Sequence, residues 1–297
     1  MRTRAALTPA YLSRILGLSL QARAVLEGSL AGTHRSPFHG YSSEFAQYKG
    51  YVPGDDLRHL DWKAYARRDQ LVTRQYRDET NTAVHLLLDT SASMDYRDTS
   101  RRAGPAAFSK LETARILAAS LALLAERRRD TVTLAHGGTT LDGFFPAGSG
   151  PHATAAVITR LEQLEAGGPT ALEAVFAHEA ARVTGQSFVF LFTDLWQDPE
   201  PVATGLRRIR RKSRAATVVQ IRTRDEDEFL SGGALRVRDM ETGETLDVQA
   251  APARAAYAAA LREHGHRMAA ACSQLNVRLV TIRTDDPLDA ALRKVLP

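Results

Sequence analysis

The chain has 297 residues, 44% hydrophobic and 25% charged, the balance of a globular protein long enough to bury a substantial core. Its longest apolar runs fall far short of the roughly 18 residues that span a bilayer, and no continuous apolar stretch follows Met1-Arg-Thr-Arg4 as in a leader peptide. A single Cys272 excludes an intrachain disulfide and fits a reducing cytoplasm; the formal charge of +5 raises nucleic acid as a partner.

That partner is not expected. The basic runs Arg207–Arg214 and Arg127–Arg129 fall at predicted helix ends, where cations complement the helix dipole, and no aromatic residues interleave them. Peripheral attraction to an anionic membrane surface stays open.

In chain order, residues 8–31 predict a helix, with Leu12, Ile15, Leu16, Leu18 and Leu26 near helical spacing. A turn-rich basic loop, Gly32–Gly40, leads into a segment dense in aromatics (Tyr41, Phe45, Tyr48, Tyr51, Trp62, Tyr65, Tyr76) set among Asp and Arg. Aromatic bodies with polar tips pack well beside ion pairs, so strands are expected near 44–52 and 71–80, with a helical turn between Asp56 and Arg67. Its charges, Arg58 among them, either satisfy one another while the aromatics cover an edge of the main sheet, or form a docking face with Trp62 or a second acidic site.

Ala83-Val-His-Leu-Leu-Leu88 is a short, nearly continuous apolar run, the pattern of a strand covered on both faces. It delivers Asp89-Thr-Ser91-Ala-Ser93 to the strand's carboxyl end, the edge where open α/β sheets bind ligands. One carboxylate and two hydroxyls in five residues suit a small hard cation, Mg²⁺ above all, although Asp and Ser are also common turn and cap residues. The polar insert Asp95–Pro105 is either a lid or a plain surface loop. Ser109–Glu126 predicts an amphipathic helix with Leu111, Ala114, Leu117, Ala118, Leu121 and Leu124 on one face. Thr131–Ala135 reads as a strand, 139–145 as its edge partner, and 152–165 and 170–183 as helices flanking Gly167-Gly-Pro-Thr170.

Phe188-Val-Phe-Leu-Phe-Thr-Asp194 repeats the strand-then-carboxylate pattern. If the two strands are parallel neighbours, Asp194 and Asp89 leave one edge, and the loop carrying Thr170 can reach them. Trp196, two places on, is a packed aromatic or a partner contact. There follow a helix at 199–211, a strand at 216–221, the acidic run Asp225–Glu228, which could bind cations but reads more simply as a solvated loop, and a hairpin at 234–248 around Thr242-Gly243. A helix at 252–274 buries Cys272, with His264 and His266 on different sides and so not a metal pair. A strand at 277–282 and a tail helix to Leu296 close the chain. The alternation predicts an α/β fold with a mostly parallel sheet flanked by helices over 82–297, a hairpin insert near 225–250, and an α+β segment over 1–81.

Asp89, Ser91, Ser93, Thr170 and Asp194 match in type and order the metal-ion-dependent adhesion site of von Willebrand factor type A domains. Ser43-Glu-Phe45, Tyr51-Val-Pro-Gly-Asp-Asp-Leu-Arg58-His-Leu-Asp61-Trp62, Ala66-Arg67 and Asp239-Met-Glu-Thr-Gly-Glu244 resemble the signature of the bacterial "domain of unknown function 58" family, which joins such a segment to a von Willebrand A-like, Rossmann-like domain. The resemblance implies that these five residues hold Mg²⁺, with Mn²⁺ or Ca²⁺ as substitutes, and that a partner's acidic group completes the ion. It implies a cytoplasmic, non-enzymatic interaction module that assists a MoxR-type AAA+ ATPase, with a client protein, in chaperone-like complex maturation.

Enzyme patterns are sparse. No phosphate-binding Gly-x-x-x-x-Gly-Lys-Ser/Thr loop and no Gly-x-Ser-x-Gly elbow occur. Phosphatases of the haloacid dehalogenase kind need a second carboxylate where this chain has Ser91. Metal-independent binding through the signature segment and Mg²⁺-dependent phosphoester hydrolysis are the alternatives.

Overall fold

A computed structural model describes residues 17–31, 43–50, 64–65, 71–78, 82–98, 107–137, 143–170, 172–228 and 233–296. The chain divides into two compact units, one of 36–81 and one holding everything before and after it.

The smaller unit contains an antiparallel pair, β1 (Ser43–Gly50) and β2 (Val72–Asp78), with a register shift between Phe45 and Gln47. Both strands fall where the aromatic-rich segment predicted them. Of the helical turn expected over 56–67, only Ala64 and Tyr65 are described, and they are helical; Arg58 and Trp62 lie outside the described residues.

The larger unit runs α1 (Leu18–Leu30), β3 (Ala83–Asp89), α2 (Lys110–Arg128), β4 (Thr131–Gly137), β5 (Gly143–Ser149), α3 (Pro151–Glu162), α4 (Leu172–Ala180), β6 (Ser187–Thr193), α5 (Pro199–Arg210), β7 (Ala215–Arg222), α6 (Arg224–Glu228), β8 (Ala234–Arg238), β9 (Thr245–Gln249), α7 (Ala250–Gln274), β10 (Arg278–Arg283) and α8 (Leu288–Val295). Six strands form one sheet in the order β10-β7-β6-β3-β4-β5. All neighbours are parallel except β5, which returns antiparallel on β4. This is the mostly parallel α/β sheet flanked by helices that the alternation predicted. The two most apolar strands, β3 and β6, lie side by side at its centre, buried almost throughout. On one face Phe176 of α4, Leu206 of α5 and Met268 of α7 pack with Leu87, Leu191 and Val218 of the strands, and Cys272 is buried among them. Gly205 of α5 is required there, because a Cβ would stand 2.0 Å from the Phe176 ring.

Helix α2 lies against β3 and β4. Its start is fixed by a reciprocal cap: the Glu112 amide donates to Ser109 Oγ (3.1 Å) while the Ser109 amide donates to the Glu112 carboxylate (2.8 Å). The sequence predicted a single apolar face, but α2 is buried nearly all round, Ile116, Ala119 and Leu123 included. The reason is α1, whose Ala22, Val25 and Leu26 are fully buried and whose Ala22 carbonyl accepts from Ser120 Oγ of α2 (3.2 Å). Arg293 of α8 donates to the Gly28 carbonyl from α1's other neighbour (3.2 Å). The first helix therefore belongs with the sheet, not with the signature segment to which the sequence reading had joined it.

The acidic run departs from expectation too. It forms the one-turn helix α6, with Asp225 buried. Among the described residues no helix is long and apolar enough to cross a membrane.

Candidate functional site

The parallel register pairs Leu88 with Phe192, so β3 and β6 end together and set Asp89 beside Thr193. Thr193 Oγ1 donates to Asp89 Oδ2 (2.7 Å) and the Ser91 amide to Oδ1 (3.0 Å). Both donors are neutral, and Asp89 is fully buried. Burial first, and the neighbouring Asp194 charge second, push its pKa up to about 6 against those hydrogen bonds.

One residue further along β6, Asp194 is also buried: its Oδ2 accepts from Lys110 Nζ (2.7 Å), while its Oδ1 has no hydrogen-bond partner. The chain then turns sharply through Leu195, a buried non-glycine residue in the left-handed region (φ 59°). Such a conformation costs about 1–3 kcal/mol and persists only where its surroundings enforce it. Here the Leu195 amide donates to Thr193 Oγ1 (3.1 Å), and its carbonyl accepts from His264 Nε2 (2.6 Å).

The serine loop and the threonine loop are stitched together by backbone hydrogen bonds, from the Gly167 amide to the Thr90 carbonyl (2.8 Å) and from the Ala92 amide to the Gly168 carbonyl (2.9 Å). Gly168 takes φ 70°, which glycine adopts without penalty. Ser91 Oγ and Ser93 Oγ lie 3.1 Å apart. Ser93, Lys110 and Thr170 line one cavity of about 450 Å³ together with Trp196, Glu226 and Glu241. The structure thus brings Asp89, Ser91, Ser93, Thr170 and Asp194 to a single edge of the sheet.

Three charged residues that the sequence reading did not select complete the arrangement. Lys110, only 1% exposed, joins Asp194 to Glu226 with two contacts of 2.7 Å. Burial alone would lower its pKa, but the two carboxylates outweigh that and raise it. A lysine at the first position of an apolar helix opposes the helix dipole, and that was the available signal. Glu226 was hidden in the acidic run. Glu241 accepts from Thr170 through both oxygens, Oγ1 to Oε1 (2.7 Å) and the amide to Oε2 (3.0 Å). Trp196 sits on the rim, 38% exposed, its Nε1 donating to Glu226 (3.2 Å) and its ring stacked on His264.

The donor set suits a hard divalent cation. Two carboxylates, Asp194 and Glu226, meet the ammonium of Lys110, Asp89 and Glu241 bond only neutral donors, and Asp194 Oδ1 is a buried oxygen lacking a donor. Among the described residues no three His, Cys, Asp or Glu side chains gather as ligands, so a cation here relies on hydroxyls and water, the habit of Mg²⁺.

A family profile described as "Protein of unknown function DUF58" matches residues 47–267. An uncharacterised protein of Mycobacterium tuberculosis is 33% identical over 88 residues, 30% of this chain and 28% of the relative. The uncharacterised protein YeaD of Bacillus subtilis is 41% identical over 59 residues, 20% of this chain and 15% of the relative. The chain thus aligns with less than a third of the length of either protein. Among solved structures, an aerotolerance-related membrane protein of Bacteroides fragilis superposes with TM-score 0.47 at 17% identity, covering 72% of this chain and 96% of that one. A von Willebrand factor type A structure from Catenulispora acidiphila does so with TM-score 0.44 at 16% identity, covering 76% and 43%.

Proposed function

This chain belongs to the DUF58 family, and from that premise we propose that it is a protein-interaction module whose binding edge holds a divalent cation and captures an acidic group of a partner. The observation that carries the reading is Asp194 Oδ1, a buried carboxylate oxygen with no donor, placed beside a second buried carboxylate whose hydrogen bonds are all to neutral groups. Asp89, Ser91, Ser93, Thr170 and Asp194 are the residues that would hold Mg²⁺. Bound there, the cation supplies a Lewis-acidic position for an outside carboxylate, and a site rich in neutral hydroxyls keeps it electrophilic.

The chain's own residues do the positioning. Thr193 and the Ser91 amide fix Asp89, the turn at Leu195 aims Asp194, and the backbone stitches hold Thr170 against the serine loop. By family resemblance the partner is a MoxR-type AAA+ ATPase, with a client that the pair helps to assemble. Purified MoxR-type ATPase from the same organism is expected to co-precipitate with the chain in Mg²⁺ and to be lost in EDTA or with Asp89→Ala. Equal retention under all three conditions overturns cation-mediated capture.

A further inference from the structure

The hairpin β8–β9 carries Asp239-Met-Glu241-Thr-Gly-Glu244 at its tip, and the cation site as read from sequence has no use for it. The tip is built to present one side chain. Asp239 Oδ1 accepts from the amides of Glu241 (2.7 Å) and Thr242 (3.0 Å). The Asp239 amide donates to the Glu244 carbonyl (2.8 Å), and Gly243 closes the turn at φ 76°. Glu241 then reaches across 71 positions of sequence to Thr170 and takes both of its donors, the hydroxyl and the amide. A threonine hydroxyl has one proton and two lone pairs. Donating to Glu241 leaves the lone pairs of Thr170 for a cation, but no donor for a carboxylate arriving from outside.

We propose that Glu241 is this chain's own ligand for the binding edge: its carboxylate holds the seat at Thr170 that a partner's acid must take, and capture requires the hairpin tip to give way. The proposal rests on the cation-bearing reading given above and adds how that site is kept occupied in the absence of a partner. Two observations favour an exchangeable ligand over a fixed strut. Val237, Met240 and Leu246 of the hairpin are 43%, 40% and 65% exposed, so releasing the tip gives up little apolar burial. The hairpin also borders the cavity of about 450 Å³ instead of filling it, leaving room for an acidic side chain to enter.

The test uses the full chain, Mn²⁺ as a spectroscopic stand-in for Mg²⁺, and acetate as the carboxylate probe. In wild type, millimolar acetate is expected to leave the Mn²⁺ affinity, read by electron paramagnetic resonance, nearly unchanged, because the seat is taken. In Glu241→Ala the affinity falls, and acetate restores it by at least about fivefold, the lower end of measured coupling between bound ligands. Glu241→Gln, which keeps one acceptor, falls between. Hydrogen exchange at the Thr170 amide is expected to rise about tenfold in Glu241→Ala, the worth of one hydrogen bond, while the Ala92 amide, bonded to Gly168, stays protected. If Asp89→Ala loses Mn²⁺ but acetate acts alike on wild type and Glu241→Ala, the seat is not held by Glu241: the proposal falls and the cation reading stands. If wild type and Asp89→Ala bind Mn²⁺ equally, the cation reading itself falls and takes the proposal with it.

Discussion

Asp89, Lys110, Thr193 and Asp194 reach the site from strand ends and a helix start, all of them buried, whereas Glu241 arrives on a hairpin whose residues are mostly exposed. The first group is positioned by elements that the core needs anyway: the register of β3 on β6 and the cap of α2. The second depends on a six-residue turn and the contact of Glu241 with one threonine. A floor made of core elements cannot adjust without cost to the fold, while a hairpin of this kind can be exchanged for another ligand. On the reading proposed above, the difference puts stability in one region and regulation in the other.

The hardest blow to that division is removal of Lys110. Lys110→Met leaves Asp194 and Glu226 without their cation, and breaking a buried pair of this kind costs about 3–5 kcal/mol. Chemical denaturation should show the loss, and Mg²⁺ should recover part of it if Asp194 ligates the ion. Thr193→Val keeps the shape but strips Asp89 Oδ2 and the Leu195 amide of their partner, for about 1–3 kcal/mol in the same experiment. Asp89→Ala is expected to abolish Mn²⁺ binding in isothermal titration while the far-ultraviolet dichroism stays native.

Glu241→Ala, on the hairpin side, should cost about 1–2 kcal/mol, since both of its bonds to Thr170 are only part-buried. A loss as large as that of Lys110→Met would make the hairpin part of the floor. Smallest of all, Arg236→Ala breaks the exposed pair with Asp247 (2.8 Å) and should leave the denaturation midpoint where it was.

The floor was largely legible in the sequence because its signals are local. An apolar run that ends in a carboxylate, twice, needs only strand length and composition to be read, and Ser109 followed by Glu112 announces a helix start. Lys110 and Glu241 were not legible in their roles, since each finds its partners 71 to 116 positions away, where no periodicity links them. Glu226 was misread for a related reason. Four acids in a row repel in water, but α6 turns Glu226 toward a buried ammonium and leaves Glu228 more exposed, so the run has two environments. The covering of α2 by α1 was equally invisible, because an alanine-rich helix buried on one side looks much like one buried on both.

That covering bears on how the molecule is handled. The matched family span begins at residue 47, after α1, yet Ala22, Val25 and Leu26 are sealed between α2 and α8. The helix acts as a clasp joining the early part of the chain to its far end. A version trimmed to the matched residues would bare a greasy flank to water, and it should clump at concentrations where the untrimmed protein runs as a single species on gel filtration.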